Sequence, residues 1–369
     1  MNDVLPKQLK PLFAAVFSIG LFFFNTASAQ DALEKELTVM ATDRIIPLVE
    51  KRGGGAIAVG TFSAAPSVKG SAGPDVQLKL TSILVSMKAK IDNDDYQYEV
   101  TGNYLPYSDP ESGLSGVKLI GRLIDAQDGT TLGEFPRFVF GPEAVPRMLG
   151  LNVNLRGRTQ PKDQSDAIKE AIEKPQGFSI GSQLSSSPAS PYAIELLVKS
   201  GNEYKPRSAT LDSKSRPFVE ILQNEVYAIR LMNHSKHEAA VKLTIDGVNV
   251  FQFSQQNPKP TAWIVPPKQG RQPGVTIVRG WDQNANESLE FKVTSFPDSA
   301  ASQVNLRPSN RVGVITAAFS ASWADEKDRP RDEGRTRGTG FGEQIVDKKT
   351  MVKRHIGHVR DMISVRYEK

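Results

Sequence analysis

The chain has 369 residues, of which 39% are hydrophobic and 24% are charged. This composition is that of an ordinary globular protein, and the length exceeds what one hydrophobic core usually organises, so we expect two domains. The absence of cysteine excludes disulfides, thiolate metal sites, a cysteine nucleophile and a lipid anchor on cysteine. Because 46 Lys and Arg residues are interspersed with 41 Asp and Glu residues, the sequence does not indicate nucleic acid or another polyanion as a partner.

The first 29 residues have the pattern of a secretory signal peptide. Lys7 and Lys10 precede an apolar run over residues 11–24, which is shorter than the roughly 20 residues that cross a bilayer. Ala27-Ser28-Ala29 then provides the small residues of a cleavage site. We therefore expect residues 1–29 to be removed and the remainder to be periplasmic or extracellular, with an uncleaved membrane anchor as the alternative. No later segment has about 18 uninterrupted apolar residues, so no membrane span is expected after cleavage.

Residues 30–155 predict an α+β module in the order helix, strand, helix and then three strands. Apolar residues recur at helical spacing over 31–52, and Gly73-Pro74 is suited to open a second helix, because the first helical nitrogen needs no hydrogen-bond partner. Apolar and alternating runs predict four strands, and Asp128-Gly129 predicts a hairpin turn between the last two. The predicted strands are 56–62, 96–104, 117–124 and 132–140.

Residues 156–191 predict a flexible linker, and residues 192–369 predict a β-sandwich. The linker is rich in serine and proline and has one weak helical stretch at 166–174. After it, short β runs separated by turn residues are typical of a sandwich or barrel, with a charge-dense loop expected at 325–337. The predicted fold class is therefore α+β: a helix–strand–helix–three-strand module followed by a C-terminal β-sandwich.

The four histidines form two pairs in the second half of the chain, His234 with His237 and His355 with His358. Four neutral imidazoles could complete a tetrahedral metal site. The first pair lies in a predicted turn, however, and cationic neighbours of the second pair would repel a metal ion. We therefore expect solvated histidines and no metal, with these four residues as the candidate ligands if one is bound.

Trp281 and Phe341 are the candidate binding residues, because both lie in loops between strands at the ends of the predicted sandwich. Trp323 ends an apolar strand and is expected in the core instead. Phe341 belongs to a glycine-rich stretch, 338–342, which lacks the preceding strand and following helix of a dinucleotide-binding loop. The stretch therefore predicts a sharp turn, and no cofactor is expected.

No arrangement of residues in the sequence predicts catalysis. The chain has no Gly-x-Ser-x-Gly elbow, and His237-Glu238 lacks the second histidine of a zinc-protease helix. Carboxylate pairs such as Asp94-Asp95 lie in predicted loops, where exposed charge is the rule. Two distant carboxylates of a glycosidase would leave no sequence pattern, so that possibility stays open. We name no catalytic residue.

Short elements of the N-terminal half carry a first resemblance. They are Val59-Gly60-Thr61-Phe62, Gly73-Pro74, Val100-Thr101-Gly102-Asn103-Tyr104 and Ile124-Asp125 with Gly129. With these elements the segment 31–154 resembles the α/β domain of envelope lipoproteins of the curli-secretion and penicillin-binding-protein-activator types. The chain departs from those families in lacking the lipidated cysteine, which puts an outer-membrane anchor in doubt.

A second set of elements is spread over residues 227–367. It consists of Tyr227 to Asn233, Asp246-Gly247-Val248-Asn249-Val250, Gly280-Trp281, Val312-Gly313-Val314-Ile315, the glycine-rich stretch and Arg366-Tyr367. This part resembles an uncharacterised β-rich domain found in exported bacterial proteins. Neither resemblance implies catalytic residues.

These patterns together support the hypothesis of an exported, non-enzymatic binding or assembly factor of the bacterial cell envelope or surface. An envelope protein or a glycan is the expected partner. The first alternative is a carbohydrate- or metal-dependent envelope enzyme that uses the four histidines. The second alternative is a structural surface protein that self-associates through exposed strand edges.

Overall fold

The computed structural model describes residues 31–66, 68, 72–212, 215–304, 306, 313–331 and 351–367. Within these ranges the fold is of the predicted α+β class, with helices and a small sheet first and mostly strands afterwards. The predicted signal peptide and Phe341 with its glycine-rich stretch lie outside the described residues. No helix in the ranges given has the length and apolar character needed to cross a membrane.

Helices and strands of the N-terminal part pack around one hydrophobic core. In chain order they are α1 (Ala32–Met40), a π-helical turn (Ala41–Ile45), α2 (Ile46–Lys51), β1 (Ile57–Ala64), α3 (Gly73–Ser86), β2 (Tyr98–Ser108), β3 (Ser115–Asp125), β4 (Thr131–Phe140), α4 (Ala144–Leu149) and β5 (Val153–Asn154). The helices and strands predicted for this part are confirmed, with shifts at their ends.

A proline explains why the first predicted helix contains a π-helical turn. Pro47 has no N–H to donate to the carbonyl four residues earlier, and its ring would clash with that carbonyl in a regular helix. The helix instead widens at this point, and the N–H of Ile46 donates to the carbonyl of Ala41, five residues earlier. The flanking helices still bury apolar side chains against the sheet.

A four-stranded sheet in the order β1-β2-β3-β4 forms the framework of the N-terminal part. β1 runs parallel to β2 with α3 between them in the chain, whereas β2, β3 and β4 form an antiparallel meander. The hairpin turn predicted at Asp128-Gly129 is confirmed, and Gly129 has a positive φ of 74°. Gly121 lies against Met40 of α1. A Cβ at position 121 would be 2.6 Å from the methionine sulfur, so glycine allows this close contact between helix and sheet.

After β5 the chain forms one further long helix and then mainly strands. These elements are α5 (Pro161–Glu173), β6 (Phe178–Ile180), β7 (Gln183–Ser185), β8 (Tyr192–Ser200), β9 (Glu203–Pro206), β10 (Thr210–Leu211), β11 (Pro217–Phe218), β12 (Val226–Asn233), β13 (Glu238–Ile245), β14 (Val248–Asn249), β15 (Trp263–Val265), β16 (Gly274–Val278), β17 (Gly280–Asp282), β18 (Ser288–Lys292), a 3₁₀ turn (Phe296–Asp298), α6 (Ala300–Gln303), β19 (Val314–Trp323), a second 3₁₀ turn (Glu326–Asp328) and β20 (His355–Arg366).

Residues 156–191, predicted to be a flexible linker, instead form a helix and two short strands that pack on the protein. Ile168 and Ala171 of α5 join the N-terminal core. The hydroxyl of Ser165 accepts a 2.7 Å hydrogen bond from the backbone N–H of Ser115 in β3. β6 and β7 then extend one sheet of the C-terminal part. Composition does not indicate these contacts, because the partners are distant in the chain.

Two sheets pack face to face in the second half of the chain, which is the arrangement of a β-sandwich. One sheet has β13, β19 and β20 at its centre, and the other has β8 and β12. Side chains from both sheets form a shared core. Within it, the ring of Tyr192 on β8 stacks on Phe319 of β19 with 4.8 Å between the ring centroids.

β19 is buried on both faces and therefore joins the two halves of the protein. Every residue from Val314 to Trp323 is buried. Phe319 lies in the sandwich core, whereas its neighbour Ala318 packs in the N-terminal core. The adjacent strand β20 contributes Met362 to the N-terminal core and pairs with β5.

Hydrogen bonds from the last strand accompany this packing. The N–H of Ser364 donates to Oδ1 of Asn152 at 2.8 Å, and both residues are buried. The hydroxyl of Ser364 donates to the carbonyl of Leu151 at 3.2 Å. Nη2 of Arg366 donates to the carbonyl of Gly150 at 3.3 Å. The predicted domains therefore meet across an interface that is both apolar and hydrogen-bonded.

Arg147 of α4 is the centre of a charge cluster between the helices of the N-terminal part. Its Nη2 donates to Oδ2 of Asp31 and lies 3.5 Å from Oδ2 of Asp75, and its Nη1 is 3.8 Å from Oε1 of Glu143. Nζ of Lys242 in β13 reaches the same Glu143 at 2.8 Å. The cluster therefore links three segments of the N-terminal part to the sandwich.

Opposite effects act on the carboxyl group of Asp31. Burial alone would raise its pKa, but the Arg147 guanidinium and the Lys79 ammonium bring the pKa below its ordinary value. A lowered pKa in the folded state stabilises the protein above the ordinary pKa of aspartate, and this contribution is lost as the pH falls.

We expect Arg147→Met to lower the free energy of unfolding by about 3–5 kcal/mol at pH 7, because it leaves partly buried carboxylates without their cation. The loss should shrink as the pH is lowered toward 3, since protonation of Asp31 removes the unpaired charge. Urea denaturation across this pH range measures both effects. The matched control is Arg122→Met, whose partner Glu134 is half exposed, with an expected change below about 1 kcal/mol. An equal loss in both variants would contradict the central role of Arg147.

Candidate functional site

A cleft with a volume of about 1190 Å³ opens at one end of the sandwich. The turn between β12 and β13, the end of β19, the start of β20 and the segment after β15 form its walls. These parts meet because antiparallel pairing brings the end of one strand beside the beginning of the next: Trp323 pairs with His355, and Ser322 pairs with Glu238.

Cationic side chains dominate the lining of this cleft. Eight are cationic and two are acidic: Arg156, Lys236, Lys268, Lys327, Arg329, Arg331, Arg354 and Arg360, against Glu238 and Asp328. The formal excess of six positive charges at one place exceeds the net charge of +5 of the whole chain. Because the low-dielectric walls of a cleft concentrate such a field, the cleft attracts anions.

A buried asparagine fixes the turn that presents Lys236. Nδ2 of Asn233 donates to the carbonyl of His237 at 2.8 Å and to that of Pro266 at 3.0 Å. Its Oδ1 accepts from the N–H of Ser235 at 2.9 Å. Asparagine has both donors and an acceptor, so this one side chain holds two loops of the cleft side by side.

Trp323 supports the cationic wall and is not a platform for a ligand. It is only 5% exposed. The guanidinium of Arg329 lies 5.5 Å from the Trp323 ring, and the ring of His355 is stacked on Trp323 at 5.9 Å. Nη1 of Arg329 donates to Oε2 of Glu326 at 3.3 Å, so the segment after β19 is held over the tryptophan.

The serines of the cleft already have hydrogen-bond partners. The hydroxyl of Ser322 donates to Oε1 of Glu238 at 2.9 Å, and that of Ser235 donates to the carbonyl of His237 at 2.8 Å. Nε of Arg354 also donates to Glu238, at 2.7 Å. Glu238 is therefore neutralised by the cleft's own arginine, and the arrangement is suited to holding anions rather than to activating a hydroxyl.

The histidine pairs predicted as candidate metal ligands are distributed along this end of the sandwich. His234 and His237 are exposed in the β12–β13 turn and line the cleft, as expected for turn histidines. His355 stacks on Trp323, and His358 lies farther along β20. Over the part of the chain that the structure describes, no three His, Asp or Glu side chains are grouped so that they could hold a metal ion.

Trp281, the one predicted binding residue that the structure describes, does not line the cleft. Trp281 packs edge-on against Phe253 and Phe291, each with 5.4 Å between ring centroids, and lies against the sandwich core. Phe341 lies outside the described residues. The cations that do line the cleft were missed because they are scattered from Arg156 to Arg360 in the chain, with no continuous basic run.

No protein-family model, no curated protein and no solved structure matches this chain. The two resemblances inferred from the sequence therefore stay predictions.

A buried carboxyl group lies directly beside the cleft residue Arg360. Asp361 of β20 is fully buried, and the hydroxyl of Ser190 donates to its Oδ2. Burial raises the pKa of Asp361 to about 7, and hydrogen bonds from the hydroxyls of Ser186 and Ser190 offset part of this effect. An aspartate in the unfolded chain ionises near pH 3.8. Between these two values the folded protein holds one proton more than the unfolded chain, so Asp361 makes the protein less stable as the pH rises.

We expect Asp361→Asn to raise the free energy of unfolding at pH 8 by roughly 2–4 kcal/mol and to change it little at pH 4, because a pKa difference of one corresponds to about 1.4 kcal/mol. Urea denaturation of variant and parent at both pH values gives the comparison. Asp94→Asn, at an exposed position, is the control and should show no such pH dependence. A constant difference between parent and Asp361→Asn at the two pH values would contradict the expectation.

Proposed function

We propose that the protein is an exported, non-enzymatic binding factor of the bacterial cell envelope or surface, and that the cationic cleft holds an acidic partner. The observation that carries the proposal is the excess of six positive charges around one cleft. The signal-peptide pattern of residues 1–29 supports the location.

Several cations of the cleft are available to a ligand. Arg156, Lys236 and Lys268 are exposed, and none of them forms an ion pair with another residue in the described part of the chain. Guanidinium groups bind carboxylates, sulfates and phosphates with two parallel hydrogen bonds, and ammonium groups add point charges. A partner with several anionic groups therefore fits this cleft better than a neutral one.

The two alternative hypotheses receive less support from the structure. A metal-dependent enzyme lacks a group of ligands among the described residues. Self-association through a strand edge meets an obstacle in β4, an edge strand of the four-stranded sheet, because Pro136 there has no N–H to offer another strand.

We expect the purified protein to bind fluorescein-labelled polygalacturonate and not labelled dextran, because the first polymer has a carboxylate on each sugar and the second is neutral. The double substitution Lys236→Ala with Lys268→Ala should weaken binding about 10- to 30-fold at low salt, at about 1 kcal/mol for each lost charge contact. Raising the ionic strength should weaken binding of the parent, because salt screens exposed charges. Fluorescence anisotropy measures all of these changes.

The matched control replaces Lys35 and Lys51, two exposed lysines of the N-terminal helices that lie outside the cleft. This double variant has the same change in net charge and should keep the affinity of the parent. Equal weakening by both double variants, or equal binding of dextran and polygalacturonate, would overturn the proposal.

A further inference from the structure

A second cavity adjoins the cleft at Arg156. It has a volume of about 320 Å³, and its walls come from α5, the β5 segment and the residues around Ser186. Arg156 lines both cavities, so they are neighbours on one continuous surface. The smaller volume is near the lower limit of ordinary ligand pockets and fits one unit of a larger ligand.

The second cavity is also cationic. Arg156, Arg158 and Lys174 line it, against the single acid Glu170. Ser186 also lines the cavity, but it is only 5% exposed, and its hydroxyl interacts with the buried carboxyl group of Asp361 and lowers the pKa of that group. The charged side chains are therefore the groups that this cavity offers to a ligand.

The shape of the surface and its lack of exposed aromatic rings define the class of ligand. Trp323, at 5% exposure, is the sole Phe, Tyr or Trp residue that lines either cavity in the described structure. Single-stranded nucleic acids are usually bound on exposed aromatic rings that stack with bases, and these cavities have none. Two concave sites joined by one arginine suit a flexible chain with repeated anionic groups.

We propose that the two cavities form one continuous binding track for a linear acidic polysaccharide, with Arg156 at the junction. The cleft at the sandwich end holds several sugars, and the cavity beside α5 holds a further anionic sugar of the same chain. This inference rests on the proposed function and specifies the kind of partner and its path.

The test compares oligogalacturonates of increasing length, a trimer, a hexamer and a dodecamer, by isothermal titration calorimetry. Arg158→Ala with Lys174→Ala should leave the affinity for the trimer unchanged and should weaken binding of the dodecamer about 10- to 30-fold. Arg156→Ala should weaken both. The control, Lys162→Ala with Lys169→Ala, removes two exposed lysines of α5 that do not line the cavity, and it should behave as the parent.

Carbodiimide coupling gives a second readout that a purely structural role of these residues would not produce. The reagent joins carboxylates of the bound dodecamer to lysine amines, and mass spectrometry identifies the lysines. One dodecamer joined to both Lys174 and Lys236 supports the track. Coupling at Lys236 without Lys174 overturns it.

The outcomes separate the two proposals. If Lys236→Ala with Lys268→Ala weakens binding while Arg158→Ala with Lys174→Ala has no effect at any length, the track is wrong and the cleft stays the binding site. If neither double variant changes binding, both proposals are wrong. Tight binding of single-stranded DNA in preference to the dodecamer would also overturn the assignment to a polysaccharide.

Discussion

Burial of β19 on both faces is the constraint on which the rest of the structure depends. A strand in this position has to supply side chains to two cores at once, and β19 does so by alternation. Its large residue Phe319 lies in the sandwich core, while small residues such as Ala318 allow the N-terminal part to approach the other face. The sandwich, the N-terminal sheet and the interface between them therefore share one strand.

The position of the candidate site follows from the same strand. Where β19 ends, Trp323 is the last buried residue, and Arg329 folds back over its ring. β20 begins beside this end of β19, and Arg354, the residue just before β20, donates a hydrogen bond to Glu238. A rigid, buried pair of strands thus ends at charged loops. Strand pairing brings these charges together at the cleft, so no contiguous sequence motif is needed to produce the high local charge.

Much of the local structure could be predicted from the sequence, because its signals act over short distances. The opening of α3 at Gly73-Pro74 and the hairpin at Asp128-Gly129 depend on the conformations of the residues themselves. The packing of α5 and the start of β20 at His355 could not be predicted this way, because polar residues there are ordered by partners far along the chain.

The candidate site shows the same limit. The sequence contains no basic run and therefore does not indicate a polyanion, yet the fold gathers cations from five separate segments into one cleft. Net charge is a sum over the chain, whereas a ligand responds to the local field. Aromatic residues in loops were the more obvious candidates, but Trp281 is used in packing.

The pairing of β5 with β20 has a consequence for how the chain reaches its native state. Val153 contacts Met362 across this ladder, and both side chains belong to the N-terminal core. When the polypeptide emerges from a ribosome or a translocation channel with its N-terminus first, the N-terminal core stays incomplete until β20 has emerged. The N-terminal half therefore cannot finish folding before the C-terminal half is present, and the long sequence separation of these contacts slows folding.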